Sequence, residues 1–385
     1  MMKGFLPYNK PLQSYSVTSS DSLNRLHDIA NQLPKLLLTG RVPRTLGLLQ
    51  RNDLAIDELL ADPLQQDQRL AMAQLSFIAH ALVLGGPKPI RIIPEVIARP
   101  WVQLSKKLGR PPVLSYASYC LDNWFLLDNE EGISLENVGL ITNFLGGVDE
   151  DWFVTVHVCI EDAAADAIEA AATLATCAES SDENEITYLL DRVAKSIIQV
   201  NRIFSRMPER CDPYIYYHRV RPFIFGSKDN PDLKQGLIFE NQFSNKPQYF
   251  RGETGAQSSI IPSLDGALGI RHENDSLRHY LNEMRNYMPP EHRNFIENIE
   301  NTSQVRSLVD RSSAMKNAYN SCLEQLRIFR SLHLNYADTY IHQQAQMSNP
   351  IGRGGSTIIG TGGTPFMSYL KKHRDETTKQ KKQPS

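Results

Sequence analysis

Apolar positions recur at steps of three and four along most of this chain, the spacing that lays hydrophobic side chains on one face of an α-helix. The repeat covers Leu23, Leu26 and Ala30; then Leu70, Leu75, Ile78, Ala79 and Leu82; then Ile186, Leu190, Val193, Ile197, Val200 and Phe204. No convincing period-two alternation marks a strand, so the pattern predicts an all-α fold. Breaks fall at Gly85-Gly86-Pro87, at Gly109 with Pro111-Pro112, over Asp128 to Gly132, at Gly146-Gly147, over Ser180 to Asn184 and over Phe225 to Gly236. The expected division is a small N-terminal helical domain, residues 1–146, packed on a larger helical domain, residues 147–374, followed by a disordered basic tail, residues 375–385.

Two of the helical stripes carry a histidine. Ala318, Cys322, Leu326, Phe329, His333, Ala337 and Tyr340 form one stripe, and Phe153, His157, Ile160, Ala164, Ala167 and Ala171 form another. An imidazole aimed into the core costs roughly 1–3 kcal/mol if its nitrogens find no partner. Each ring is therefore either hydrogen-bonded inside or ligating something. Two such rings on two helices point to a cofactor between them. Zinc fits poorly, because Cys120, Cys159, Cys177, Cys211 and Cys322 are scattered and neither CxxC nor HExxH occurs. A haem iron needs only one protein ligand, and without CxxCH it would be a non-covalent b-type haem.

Composition narrows the partners. The chain has 385 residues, enough for a sizeable buried core, and a formal charge of -2 gives no general attraction to nucleic acid or anionic membrane. Odd, unpatterned cysteines point to a reducing compartment. The opening MMKGFLPYNKPLQ lacks an apolar leader core, and AAADAIEAAATLATCA is broken by Asp166 and Glu169, so a cytoplasmic location without a spanning helix is expected. The tract SNPIGRGGSTIIGTGGTPF reads as a linker or as a loop that gates a site, and helix is expected to resume over Phe366 to Arg374.

Several segments together resemble the indoleamine 2,3-dioxygenase family. They are SYASYCLDNW (Ser115 to Trp124), RVRPFIFGSKDNP (Arg219 to Pro231), GETGAQSS followed by Asp265 and Leu268-Gly269-Ile270, YMPPEHRNF (Tyr287 to Phe295), RSLHLNYADTYI (Arg330 to Ile341) and GTGGT (Gly360 to Thr364). The resemblance implies a haem enzyme that opens the indole ring of L-tryptophan or a related indole with O2, giving N-formylkynurenine at the first step of the kynurenine pathway. It also implies a monomer, with His333 as the proximal ligand to the haem iron. Arg221 falls on the arginine that pairs with the substrate carboxylate, and Thr361 on the hydroxyl at the same end of the substrate. Thr254 and Gly255 fall beside a haem propionate. Tyr116, Tyr119, Phe153 and Tyr216 are implied as walls around the indole, Tyr216 standing where vertebrate members carry a phenylalanine. Arg330, one helical turn before His333, is implied to pair with Asp265.

At His157 the vertebrate members carry a small hydroxyl residue, and this chain is instead similar to tryptophan 2,3-dioxygenases, which place a histidine over the iron. Such a ring could hydrogen-bond dioxygen or the indole N–H, or ligate the iron. The competing reading is a haem protein on the same fold that binds or senses oxygen, or that acts on a different indole. Arg221 and GTGGT argue against a pure oxygen binder, which has no use for a carboxylate clamp.

Overall fold

The computed structural model describes residues 4–16, 20–61, 65–347 and 366–383. Helices of eight or more residues, numbered in chain order, are α1 (Asp21–Asn31), α2 (Gln65–Leu84), α3 (Glu95–Leu108), α4 (Val148–Ala163), α5 (Ala165–Leu174), α6 (Glu183–Phe204), α7 (Ile260–Ala267), α8 (Ser276–Arg285), α9 (Pro290–Thr302), α10 (Ser313–Ala337) and α11 (Phe366–Lys379). The all-α expectation holds. Strand is confined to two small pairs among the described residues: β1 (Ile92–Ile93) runs parallel to β4 (Ile238–Phe239), and β2 (Trp124–Leu126) antiparallel to β3 (Val138–Leu140). These segments are too short to carry a visible alternation, and they serve as clips between loops.

Local chemistry starts the long helices, at Asp182 and Gly147 within breaks that the sequence reading placed and at Ser312 outside them. Ser312 caps α10 by accepting a bond from the Met315 N–H, and Asp182 caps α6 through the Asn184 N–H. Gly147, extended at φ -153°, is the N-cap of α4, and Asp149, Glu150 and Asp151 put negative charge on that helix's positive end. The Gly146-Gly147 pair is thus a helix start. Hydrophobic packing continues across it, with Phe77 of α2 against Phe144 at 4.6 Å and Phe144 stacked on Phe223 at 4.9 Å.

Helix α10 is the structural axis of the C-terminal half. It packs against both α6 and α11, while α4 packs on α6. Three five-residue π-helical turns stand around this arrangement: Ala117–Leu121, Tyr216–Val220 and Asp338–His342. A π-turn inserts a residue into the helical register and re-aims the side chains that follow, a device found at functional sites.

The C-terminal segment departs from the expectation of a disordered tail. Helix α11 runs on to Lys379, and Glu376 and Thr377 are buried at 7% and 0% exposure. The composition misled because the tail's cations have acids waiting on α10 and just before it: Lys381 Nζ lies 2.8 Å from Glu324, and Lys382 Nζ 2.6 Å from Asp310. The Lys382 N–H also donates to Asn320 Oδ1 at 2.8 Å, fixing the chain end against α10.

Candidate active site

The two histidine stripes meet across a cleft. On α10, Ala318, Cys322, Leu326 and Ala337 are buried as expected, whereas Phe329 and His333 keep accessible surface. On α4, the half-open positions of the stripe are Phe153 and His157, one turn apart on a helix otherwise sealed along most of its length. Both imidazoles thus keep accessible surface on the inner faces of their helices, with space left beside them that the protein does not fill. Each ring is nonetheless deep enough for burial to lower its pKa. His333 is pushed down to about 4, first by desolvation and then by the neighbouring His157, so the rings sense each other across the gap. Both are neutral at pH 7.

Their hydrogen bonding differs. His157 Nδ1 lies 2.7 Å from the Phe153 carbonyl, which can only accept, so Nδ1 carries the proton and Nε2 is left with a lone pair. His333 has no hydrogen bond among the described residues; its neighbours are the rings of Phe204 at 6.2 Å and Phe329 at 6.4 Å. A neutral imidazole with no hydrogen bond, on a half-open apolar face, is a donor set that suits a haem: a nitrogen for the iron and an aromatic flank for the macrocycle.

The implied indole walls gather on the α4 side. Phe153 contacts His157 at 4.5 Å and Tyr216 at 4.8 Å between ring centroids, Tyr116 lies 6.0 Å from His157, and Tyr119 lies 6.3 Å from Phe153. Tyr119 and Tyr216 come from π-turns, and Tyr116 immediately precedes one. Arg221 follows the second of these turns. It is fully buried, with its guanidinium carbon 5.0 Å from the Tyr217 ring and 4.6 Å from Phe225. Burial lowers its pKa, and its charge in turn acts on Tyr216. It has no open surface of its own.

Thr254 caps the short Gly255–Gln257 turn by accepting from the Ala256 N–H at 3.4 Å, and Gly255 is exposed. Gln257 and Ser258 tie this turn to the α4 side, through the Tyr116 N–H at 2.9 Å and Glu161 at 2.8 Å. Thr361, with the rest of Gly352 to Thr364, lies outside the described residues. Arg330 and Asp265 do meet, through bonds of 2.8 and 2.6 Å in a buried pair. Desolvation works to raise the Asp265 pKa, but Arg330 and His272 more than reverse it and hold the carboxyl well below its usual range.

Sequence reasoning missed three buried acids. Glu161 accepts from the Tyr116 hydroxyl at 2.8 Å and from Ser258 at 2.8 Å, and desolvation pushes its pKa up to about 7. The signal was present, since Glu161 sits four residues after His157 on a mostly apolar helix. Glu150 accepts from the Phe144 and Leu145 N–H groups at 2.8 and 2.9 Å, with its pKa also raised to about 7. Glu253, inside GETGAQSS, is 2% exposed, is pushed up to about 8 by burial, and acts electrostatically on Tyr116, Tyr119 and Tyr216. Its backbone is set by Gly226 and Gly252, whose chains approach so closely that a Cβ on either would run into the other's backbone, and by its own N–H bond to the Ile224 carbonyl at 3.0 Å.

Residues 1–380 match the family model described as indoleamine 2,3-dioxygenase. The chain belongs to the indoleamine 2,3-dioxygenase family. It is 36% identical to indoleamine 2,3-dioxygenase 1 of Rattus norvegicus over 91% of this chain and 88% of that protein. It is 31% identical to the indoleamine 2,3-dioxygenase of Saccharomyces cerevisiae over 97% of this chain and 90% of that one. A 6-hydroxytryptophan 2,3-dioxygenase of Fusarium equiseti matches at 29% identity over 97% of this chain and 94% of that protein. Among the described residues no helix of this family member is long and apolar enough to cross a membrane.

Proposed function

We propose that this protein is a haem-dependent dioxygenase that opens the indole ring of L-tryptophan with O2 to give N-formylkynurenine. The observation that carries this reading is the pair of neutral histidines facing one another across an aromatic-lined gap, in a chain of this family. His333 would hold the haem iron from α10, braced by the Arg330–Asp265 pair one turn away, with Thr254 and Gly255 toward the haem edge. When bound, the haem supplies activation of dioxygen toward the indole C2–C3 bond. Residues 1–146 contribute Tyr116 and Tyr119 to the site, and residues 147–374 both histidines.

His157 acts on the substrate as an acceptor. Its Nδ1 proton is committed to the Phe153 carbonyl, so Nε2 receives the indole N–H. Burial lowers its basicity, and it therefore holds that proton on the indole nitrogen without removing it. Phe153, Tyr216, Tyr116 and Tyr119 confine the ring and exclude water. Arg221 and Thr361 take the carboxylate; since Arg221 is fully buried against Tyr217 and Phe225, these rings give way as the substrate reaches it.

The reading is tested by giving reduced, haem-loaded protein tryptophan and oxygen and assaying N-formylkynurenine; absence of product would overturn it. Arg221→Ala should raise the KM for tryptophan about 10- to 100-fold, the value of one charge-assisted bidentate bond. 1-Methyltryptophan, which has no indole N–H, should bind about 2- to 10-fold more weakly than tryptophan to the wild type and equally to His157→Ala. Equal binding to the wild type would remove His157 from the substrate. The Fusarium relative favours a second reading, a hydroxylated tryptophan as substrate, decided by comparing kcat/KM for the two.

A further inference from the structure

Behind the helix that carries His333 lies a second cluster of metal-ligating side chains that the dioxygenase reaction does not use. His373 and Glu376, three residues apart on one face of α11, converge with His272 from the segment after α7, and one ligand atom of each lies within 4.8 Å of the others. The cluster is deep: the side chains of His272 and Glu376 are 4% and 9% exposed.

Hydrogen-bond bookkeeping leaves two of its ligand atoms, His373 Nε2 and Glu376 Oε1, unsatisfied. Asp265 is ionised against Arg330 and can only accept, so the 3.0 Å contact to His272 fixes the proton on Nε2. In the neutral ring Nδ1 then carries a lone pair, and it points at Glu376 Oε2, another acceptor, at 2.6 Å. Protonating His272 would satisfy that one contact. It would leave His373 Nε2 and Glu376 Oε1 as they stand, buried without a hydrogen-bond partner, the nearest cation to Oε1 being Lys372 Nζ at 3.7 Å. The ring of His373 packs on that of His272 at 4.3 Å and is neutral, its pKa pushed down to about 3 by burial. The charged side chains here are the carboxylates Asp265, Glu273, Asp275 and Glu376 against Arg330, Lys372 and Lys379, an excess of one negative charge when the imidazoles are neutral.

We infer that His272 Nδ1, His373 Nε2 and the Glu376 carboxylate form a site for a divalent first-row transition-metal ion of the zinc class. Two imidazoles and a carboxylate match that class, and the Asp265 carboxylate holding the far N–H of His272 is the arrangement that orients a metal-binding imidazole. Tetrahedral ligands about 2.0–2.1 Å from zinc stand roughly 3.3 Å apart, so on binding the 2.6 Å contact opens and the 4.8 Å spread closes. The ion would staple α11 to the segment after α7 and, through Asp265 and Arg330, brace the turn of α10 that precedes His333.

The test is zinc binding to haem-loaded protein. After equilibrium dialysis against Zn2+, metal analysis should find one zinc per chain beyond the haem iron, and X-ray absorption at the zinc edge should show two imidazoles and oxygen ligands without sulfur. His373→Leu and Glu376→Gln should each weaken binding at least 100-fold while keeping the haem. Failure to retain zinc, a sulfur-containing zinc shell, or unchanged affinity in both variants would overturn the site. The absorption spectrum of the wild type decides the matter even if a variant fails to fold, and none of these readouts depends on dioxygenase activity.

Discussion

His80 and His333 are two histidines on apolar helical faces with opposite fates. His80, on α2, is 5% exposed and spends both ring nitrogens: Nδ1 donates to the Phe223 carbonyl at 2.7 Å, and Nε2 accepts from the Leu114 N–H at 3.1 Å. His333, on α10, is half-open and has no hydrogen bond among the described residues. Burial takes both pKa values down to about 4, so depth does not distinguish them. The difference lies in satisfaction. A core histidine is a two-ended connector between loops, whereas a histidine left open on a cleft is available to a ligand.

Substitutions at these positions should separate the two roles. His333→Ala is expected to abolish haem binding, read as absorbance per chain, while changing the stability of the haem-free protein by less than about 1 kcal/mol, because the ring gives up no hydrogen bond. His80→Leu should do the reverse, keeping the haem and costing about 2–5 kcal/mol in urea unfolding, since the Leu114 N–H and the Phe223 carbonyl are both orphaned. Haem loss in His80→Leu with unchanged stability would break the comparison.

The acids around the cleft sharpen it further. Glu161 has a folded-state pKa of about 7, raised by burial from an ordinary carboxyl value, so the folded protein holds a proton that the unfolded chain releases. That contribution to stability is complete below about pH 4.5 and is lost as pH rises through about 7. Glu161→Gln should flatten the fall by up to about 3 kcal/mol, seen as a smaller drop in Tm between pH 5 and pH 8 than in the wild type. A smaller effect is expected at Phe329. Truncation to Ala should cost less than about 2 kcal/mol because the ring is only half-buried, against about 3–5 kcal/mol for Phe77→Ala in the sealed core, both read from urea unfolding.

The sequence by itself determined what depends on neighbours a few residues away. Residue spacing marked five helical stripes, one of which the structure divides at Ala164, since a 3.6-residue repeat is printed directly in the order of side chains, and it singled out His157 and His333 as rings on apolar faces. Family motifs joined Arg330 to Asp265 and gathered Tyr116, Tyr119, Phe153 and Tyr216. Tertiary structure decided everything set by distant partners. His80 repeats the local signal of His333, and the carbonyl that satisfies it lies 143 residues further along the chain. The basic tail is ordered by acids on α10, and His272 meets Glu376 across 104 residues. The π-turns that aim Tyr119 and Tyr216 leave no periodic trace, because each shifts the register by one residue and lets it resume. Whether a buried polar group is satisfied is a property of two chain segments at once, and a linear pattern carries only one of them.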